Sequence, residues 1–377
     1  VPGPSAALIS ARAGCNLAAM HPQPFLGVFL HALGGLAAGS FYLPYKKVRG
    51  WAWELYWLVG GVFSWILAPW IAAALTSPRL IEVLRGAPVK SVLATYLLGV
   101  LWGVGGLTFG LSMRYLGLSL GYALALGFCA VFGTIVPPLF QGQMGSLASV
   151  LSGQVTLAGI LVCLAGIAVC GRAGARREKE ATAADRAAAA PELNFAKGLW
   201  IAVFAGIMSS CMAFAYAAGK PIAARAVELG TPDIFQNFPV MIVALAGGFT
   251  TNAVWCGILL RRNRRKRAAE SAVASPARPR APFWPNLIFS ALAGVTWYLQ
   301  FFFYGMGTTR MGRYDFSSWT IHMAFIILFS NLWGLVLREW KGSRRRTMWI
   351  VAAGLLVLVL STVVVGAGNY IAAAGGR

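Results

Sequence analysis

The feature that most constrains this chain is a series of uninterrupted apolar runs, each long enough to cross a bilayer, separated by segments that hold nearly all of its charge. A spanning helix needs roughly 20 apolar residues. Runs of that kind occur at 24–43, 53–75, 89–112, 117–139 and 153–171, and after a polar break at 197–218, 234–260, 286–308, 316–337 and 347–369. Backbone groups in lipid must be satisfied within their own segment or in a closed barrel. These runs do not alternate with a period of two, which argues against a barrel. The expected fold is an all-α polytopic membrane protein of ten transmembrane helices. Composition agrees, with 58% hydrophobic and 11% charged residues and a mean hydropathy of +0.68. A soluble domain carries about 25% charge.

The formal net charge is +21, and the placement of the basic residues decides its meaning. Loops that follow odd-numbered spans hold 23 of the 32 Lys and Arg residues, and the remaining loops and termini hold 9. By the positive-inside rule the first set is cytoplasmic, so both termini are expected in the periplasm of a bacterial inner membrane. The RRNRRKR run at 261–267 is then an anchor beside anionic lipid, with no nucleic-acid partner expected. The six cysteines form no CxxC pair and no Cys/His cluster, so neither a disulfide framework nor a metal or cofactor is expected. Residues 1–19 lack an unbroken apolar core and are expected to be a disordered extension, or a misplaced start, ahead of Met20.

Secondary transporters are often built from inverted repeats. Here Gly99-Val100-Leu101-Trp102 in span 3 matches Gly294-Val295-Thr296-Trp297 in span 8, at an offset of 195 that also pairs Gly110 with Gly305 and Gly117 with Gly312. Spans 1 and 6 both close on a lysine, Lys46 and Lys220, and spans 2 and 7 carry Gly60-Gly61 and Gly247-Gly248. Five spans per half is an odd number, so the halves must have opposite orientation. The expected organisation is a 5+5 inverted repeat: 20–171, a cytoplasmic linker at 172–196, and 197–377 with an irregular basic loop at 261–285.

Several blocks then resemble one family. FYLPYKKVRGWAWELYWLVGGVFSWILAPW (41–70), WGVGGLTFGLSMRYLGLSLG (102–121), WYLQFFFYGMG (297–307), YDFSSWTIHM (314–323) and GLVLREWKG (334–342) are similar to L-rhamnose–proton symporters of the drug/metabolite transporter superfamily. The resemblance spans both halves. It implies ten spans, import of L-rhamnose or a related monosaccharide, and coupling to protons, with the lipid bilayer as the surrounding partner.

Ionisable groups inside a membrane are costly and are functional candidates by default. Of 11 carboxylates, Glu82, Glu178, Glu180, Asp185, Glu192, Glu228 and Glu270 fall in loops. Glu339 reads as a surface ion pair between Arg338 and Lys341, and Asp233 as the N-cap of span 7. Glu54 and Asp315 remain as proton-coupling candidates, since a carboxylate shielded from water can bind and release a proton near neutral pH. The structural alternative is a salt bridge, of Glu54 with Lys46, Lys47 or Arg49, and of Asp315 with Arg310 or Arg313. His31 and His322 rank behind them. Each lies roughly 10 Å inside the periplasmic end of its span, at ~1.5 Å per residue, and imidazole titrates near ~6.5 when unperturbed.

Sugar recognition needs aromatic faces for C–H surfaces and amides for hydroxyls. Span 8 offers Trp297, Tyr298, Gln300 and Tyr304 as substrate-binding candidates; Trp297, Gln300 and Tyr304 share one face and Tyr298 points elsewhere. Trp102, Trp65, Asn237 and Trp319 form a second tier of substrate-binding candidates. Rival readings are a transporter of another metabolite, sodium in place of protons, or a membrane receptor or enzyme. No clustered catalytic constellation supports an enzyme.

Overall fold

The computed structural model describes residues 22–116, 118–140, 142–180, 195–271, 281–337, 340 and 342–375. The expected extension at 1–19, Gly117, the Arg338–Glu339–Lys341 pairing, residues 181–194 of the linker and residues 272–280 of the basic loop lie outside these. The long helices, in chain order, are α1 (Pro24–Tyr45), α2 (Trp53–Thr76), α3 (Val89–Leu116), α4 (Leu118–Phe140) and α5 (Leu151–Glu180). They continue with α6 (Phe195–Ala218), α7 (Phe238–Ser271), α8 (Phe283–Thr308), α9 (Ser318–Val336) and α10 (Arg345–Ala374).

Among the described residues, nine helices are long and apolar enough to cross a membrane, and α4 contributes a shorter apolar stretch, Leu124–Leu139. The outer surface exposes many large apolar side chains, with Leu75 81% and Trp200 73% exposed. Water would penalise such a surface and hydrocarbon does not. The chain is an all-α polytopic membrane protein.

Two helices run past the ends that hydropathy suggested. The linker expected from residue 172 begins as helix, because α5 continues to Glu180, and α7 continues to Ser271 through the first part of the expected basic loop. Apolarity stops where the lipid stops, but helical hydrogen bonding does not. Ala, Arg, Lys and Glu are strong helix formers and carry the helix on into water. The extension of α5 has a use. Glu180 accepts the backbone N–H of Arg344 at 2.9 Å and the Thr347 hydroxyl at 2.7 Å, capping the first turn of α10 from a neighbouring helix.

The interior is assembled through glycine. α3 packs between α6 and α7, α1 between α8 and α9, α2 against α7 and α8, and α5 against α10. A Cβ at Gly294 would collide with the Gly60 carbonyl, and one at Gly247 with the carbonyl of Tyr96 on α3. Small residues let backbones approach closely where lipid leaves no hydrophobic drive between helices. Within α2, Val62–Leu67 widens into a π-turn in which the Ala68 N–H reaches back to the Phe63 carbonyl. Pro69 has no N–H to offer the carbonyl four residues earlier, which favours that looser turn. Trp65 sits in it, 4% exposed.

Candidate functional site

In the middle of the bundle lies a cavity of about 190 Å³, lined by residues of α1–α4 and α6–α9. Five tryptophans, Trp57, Trp65, Trp102, Trp297 and Trp319, stand in its walls. Trp65 meets Trp102 edge to face at 6.2 Å and Trp297 at 5.5 Å, and Trp102 meets Trp297 at 5.6 Å. Edge-to-face stacking holds these rings in fixed orientation, so they offer a rigid surface for apolar C–H faces. The polar groups on the wall include Gln300, Ser209, Asn252 and His322.

The polar groups are not equivalent. Asn252 is committed, accepting the Trp57 indole N–H at 3.1 Å and donating to the Gly248 carbonyl at 2.9 Å. Gln300 is 6% exposed, and its amide makes no hydrogen bond to another side chain or backbone group among the described residues. A buried amide facing a cavity without a protein partner is placed to bind a polar ligand. Trp297 and Gln300 lie one turn apart on α8, as their spacing suggested.

A second cavity of about 490 Å³ opens beyond Trp319 and is bordered by Asn237, Tyr304, Thr308, Lys220 and Asp315. Trp319 lines both cavities. It donates its indole N–H to the Cys129 carbonyl at 3.1 Å. Tyr304 belongs to this second cavity, although sequence spacing placed it with Trp297 and Gln300. Asn237 uses its amide N–H groups on the Gly305 carbonyl at 2.9 Å and the Thr308 hydroxyl at 3.0 Å, tying α7 to the end of α8. Tyr298 points away, packed on Phe302, with its hydroxyl buried and without a partner.

The charged candidates are paired differently from expectation. Asp315 pairs with Lys220 at 2.9 Å, not with Arg310 or Arg313, because the turn after Gly312 (φ +68) carries it over the open mouth of the second cavity. Its side chain is 39% exposed, so it is not shielded from solvent. Arg310 instead binds Asp233 through two contacts of 2.8 and 3.4 Å. Asp233 therefore makes no N-cap hydrogen bond. Glu54 is 1% exposed and accepts a 2.7 Å hydrogen bond from Asn263 of α7; of its expected partners Lys46, Lys47 and Arg49, the last has its backbone held by Asn286.

His31 and His322 are each fully buried, with ring centroids 6.1 Å apart. Tyr304 touches both, at 5.3 and 5.1 Å. Among the described residues none of the four ring nitrogens meets hydrogen-bond geometry, although the His31 backbone faces the His322 ring. Sequence reasoning missed Phe301, Trp57 and Lys220. The first two lay in the quoted aromatic blocks, and Lys220 was noticed only as a repeat marker.

A family model described as L-rhamnose-proton symport protein matches residues 20–372. The chain is 38% identical over 344 residues to an L-rhamnose-proton symporter of Cronobacter sakazakii, covering 91% of this chain and 97% of that protein. Proteins with the same description from Klebsiella pneumoniae and Escherichia coli match over the same shares of each chain, at 38% and 37% identity.

Proposed function

Because the chain belongs to the L-rhamnose-proton symport protein family, we propose that it imports L-rhamnose together with protons across the bacterial inner membrane. It is a transporter and not an enzyme. The observation that carries the substrate reading is the unpartnered Gln300 amide in an indole-walled cavity. A 6-deoxy sugar has the matching chemistry, with hydroxyls for the amide and an apolar face for the tryptophans.

The transport cycle fits a 5+5 inverted repeat of ten spans, with 20–171 and 197–377 as halves joined by 172–196. The packing supports it. Exchanging the halves maps the α3–α6 contact onto α8–α1, α4–α6 onto α9–α1 and α3–α7 onto α8–α2, and each of these pairs is in contact. Gly60 and Gly247, matched in sequence, stand at corresponding crossings. Alternating access then amounts to rocking one half against the other around the central cavity. With both termini in the periplasm, the Asp315 cavity is the periplasmic vestibule and Glu54 lies at the cytoplasmic end.

The residues proposed to hold the sugar are Trp297, Gln300, Trp65 and Trp102, with Trp319 and Tyr304 between sugar and vestibule. Uptake of labelled L-rhamnose into proteoliposomes, under separately imposed pH and sodium gradients, tests the reading. Accumulation driven by the pH gradient alone is expected. Accumulation driven only by sodium, or uptake only of another sugar, would overturn it.

A further inference from the structure

We propose that His31 and His322 form one proton-binding site, holding a single proton between them, and that the sugar completes this site. This rests on the symport reading above. Neither residue is a surface group that happens to titrate. Both rings are fully buried, and by hydrogen-bond geometry none of their four nitrogens has a partner among the described residues, the His31 backbone being the group that faces the His322 ring. A buried polar group left unsatisfied is costly, so two adjacent ones point to a ligand that comes and goes.

The backbone is shaped around the pair. A methyl group at Gly34 of α1 would lie 3.0 Å from His322 Cε1, and one at Gly307 of α8 would lie 2.8 Å from His31 Cε1. The two glycines therefore bring α1, α8 and α9 close enough to wedge the imidazoles between them. The surroundings contain no neutralising charge. Among the described residues no carboxylate lies within ion-pair distance of either ring. Tyr304 faces both rings from α8, Tyr216 of α6 stands behind it at 4.9 Å, the Cys129 carbonyl of α4 accepts the Trp319 indole N–H, and the Cys163 thiol of α5 donates to the Thr320 carbonyl of α9. The nearest ionic group on the vestibule side is the Lys220–Asp315 pair.

An imidazolium here has no counter-ion and is costly in a membrane interior. His322 also lines the Gln300 cavity. A sugar hydroxyl bound there supplies the missing acceptor, so the proton is held well only when the sugar is present. By linkage the proton raises the affinity for sugar by the same factor. That mutual dependence is what symport requires. Two protons would place like charges at the 6.1 Å ring separation, which disfavours a second one. Tyr304 faces both rings and the vestibule, so it marks the path by which the proton arrives.

Calorimetry of L-rhamnose binding to the full-length protein, in buffers of different ionisation enthalpy, reads proton uptake directly. The wild type should take up a proton on binding sugar. His322→Gln and His31→Gln should take up none and bind sugar with an affinity that no longer varies with pH. Neither variant should accumulate L-rhamnose under a pH gradient. Infrared difference spectra of wild-type protein with isotope-labelled histidine, recorded on adding L-rhamnose, need no variant and should show an imidazolium forming. Absence of that signal while sugar binds overturns the proposal. So does proton uptake that persists in both histidine variants, or that is lost instead in Glu54→Gln. If the wild type binds no L-rhamnose, the symport reading itself fails, and this inference with it.

Discussion

The indole of Trp319 meets the ring of Tyr304 edge to face, with centroids 5.6 Å apart and planes at 89°. This contact stands where the two cavities meet, since Trp319 lines both and Tyr304 lines the second. Trp319→Phe keeps an aromatic edge against Tyr304 but loses the indole hydrogen bond to the Cys129 carbonyl. That bond is worth about 1 kcal/mol. The variant should leak protons in the absence of sugar, read with a pH-sensitive dye inside proteoliposomes. A membrane as tight as with wild-type protein would mean that Trp319 does not part the two cavities.

Gln300 should contribute directly to affinity. Gln300→Ala removes the partner of a sugar hydroxyl at a cost of roughly 1–3 kcal/mol, or about 5- to 150-fold in Kd. Trp297→Ala should weaken binding as well, through lost stacking area. Calorimetry checks both, and unchanged Kd in the two variants would remove α8 from the site.

The ion pairs near the vestibule should differ in what they do for stability. Lys220 and Asp315 are 63% and 39% exposed, so Asp315→Asn should change stability by at most ~1 kcal/mol. Arg310 is only 16% exposed and its Nε already lacks a partner. Asp233→Asn leaves that guanidinium less satisfied and should lower Tm more than Asp315→Asn. Equal Tm values in the two variants would contradict this.

Acid should loosen the start of α10. The Arg344 N–H and the Thr347 hydroxyl hold the Glu180 carboxyl below its ordinary value. A depressed carboxylate contributes stability above its unfolded pKa and loses it as pH falls through the folded one. Amide exchange protection across 345–348, corrected for intrinsic rates, should therefore fall on acidification. Glu180→Gln should show the reduced protection already at neutral pH and little change below it.

Topology is testable without the site. Reporter fusions at Gly375 should report a periplasmic C-terminus, and fusions within 172–191 a cytoplasmic linker. Cytoplasmic activity at Gly375 would reverse the orientation and exchange the roles of the two cavities.

The apolar helices and the transport class were legible in the chain alone. Apolar length and loop charge act through partition between lipid and water, which does not depend on which helix neighbours which. The same holds for the aromatic-plus-amide stripe of α8, because Trp297 and Gln300 are related by helical geometry within one segment. What elimination by position misjudged was pairing. Asp315 belongs to Lys220, 95 residues away, and Asp233 belongs to Arg310, because the partner of a charge is decided by how helices cross. Tyr304 lines the second cavity and Gln300 the first, although about one turn of α8 separates them. His31 and His322 were each visible as single histidines on apolar helices. Their meeting, 6.1 Å apart across the α1–α9 contact and without partners, is a property of tertiary structure that one-dimensional spacing does not contain.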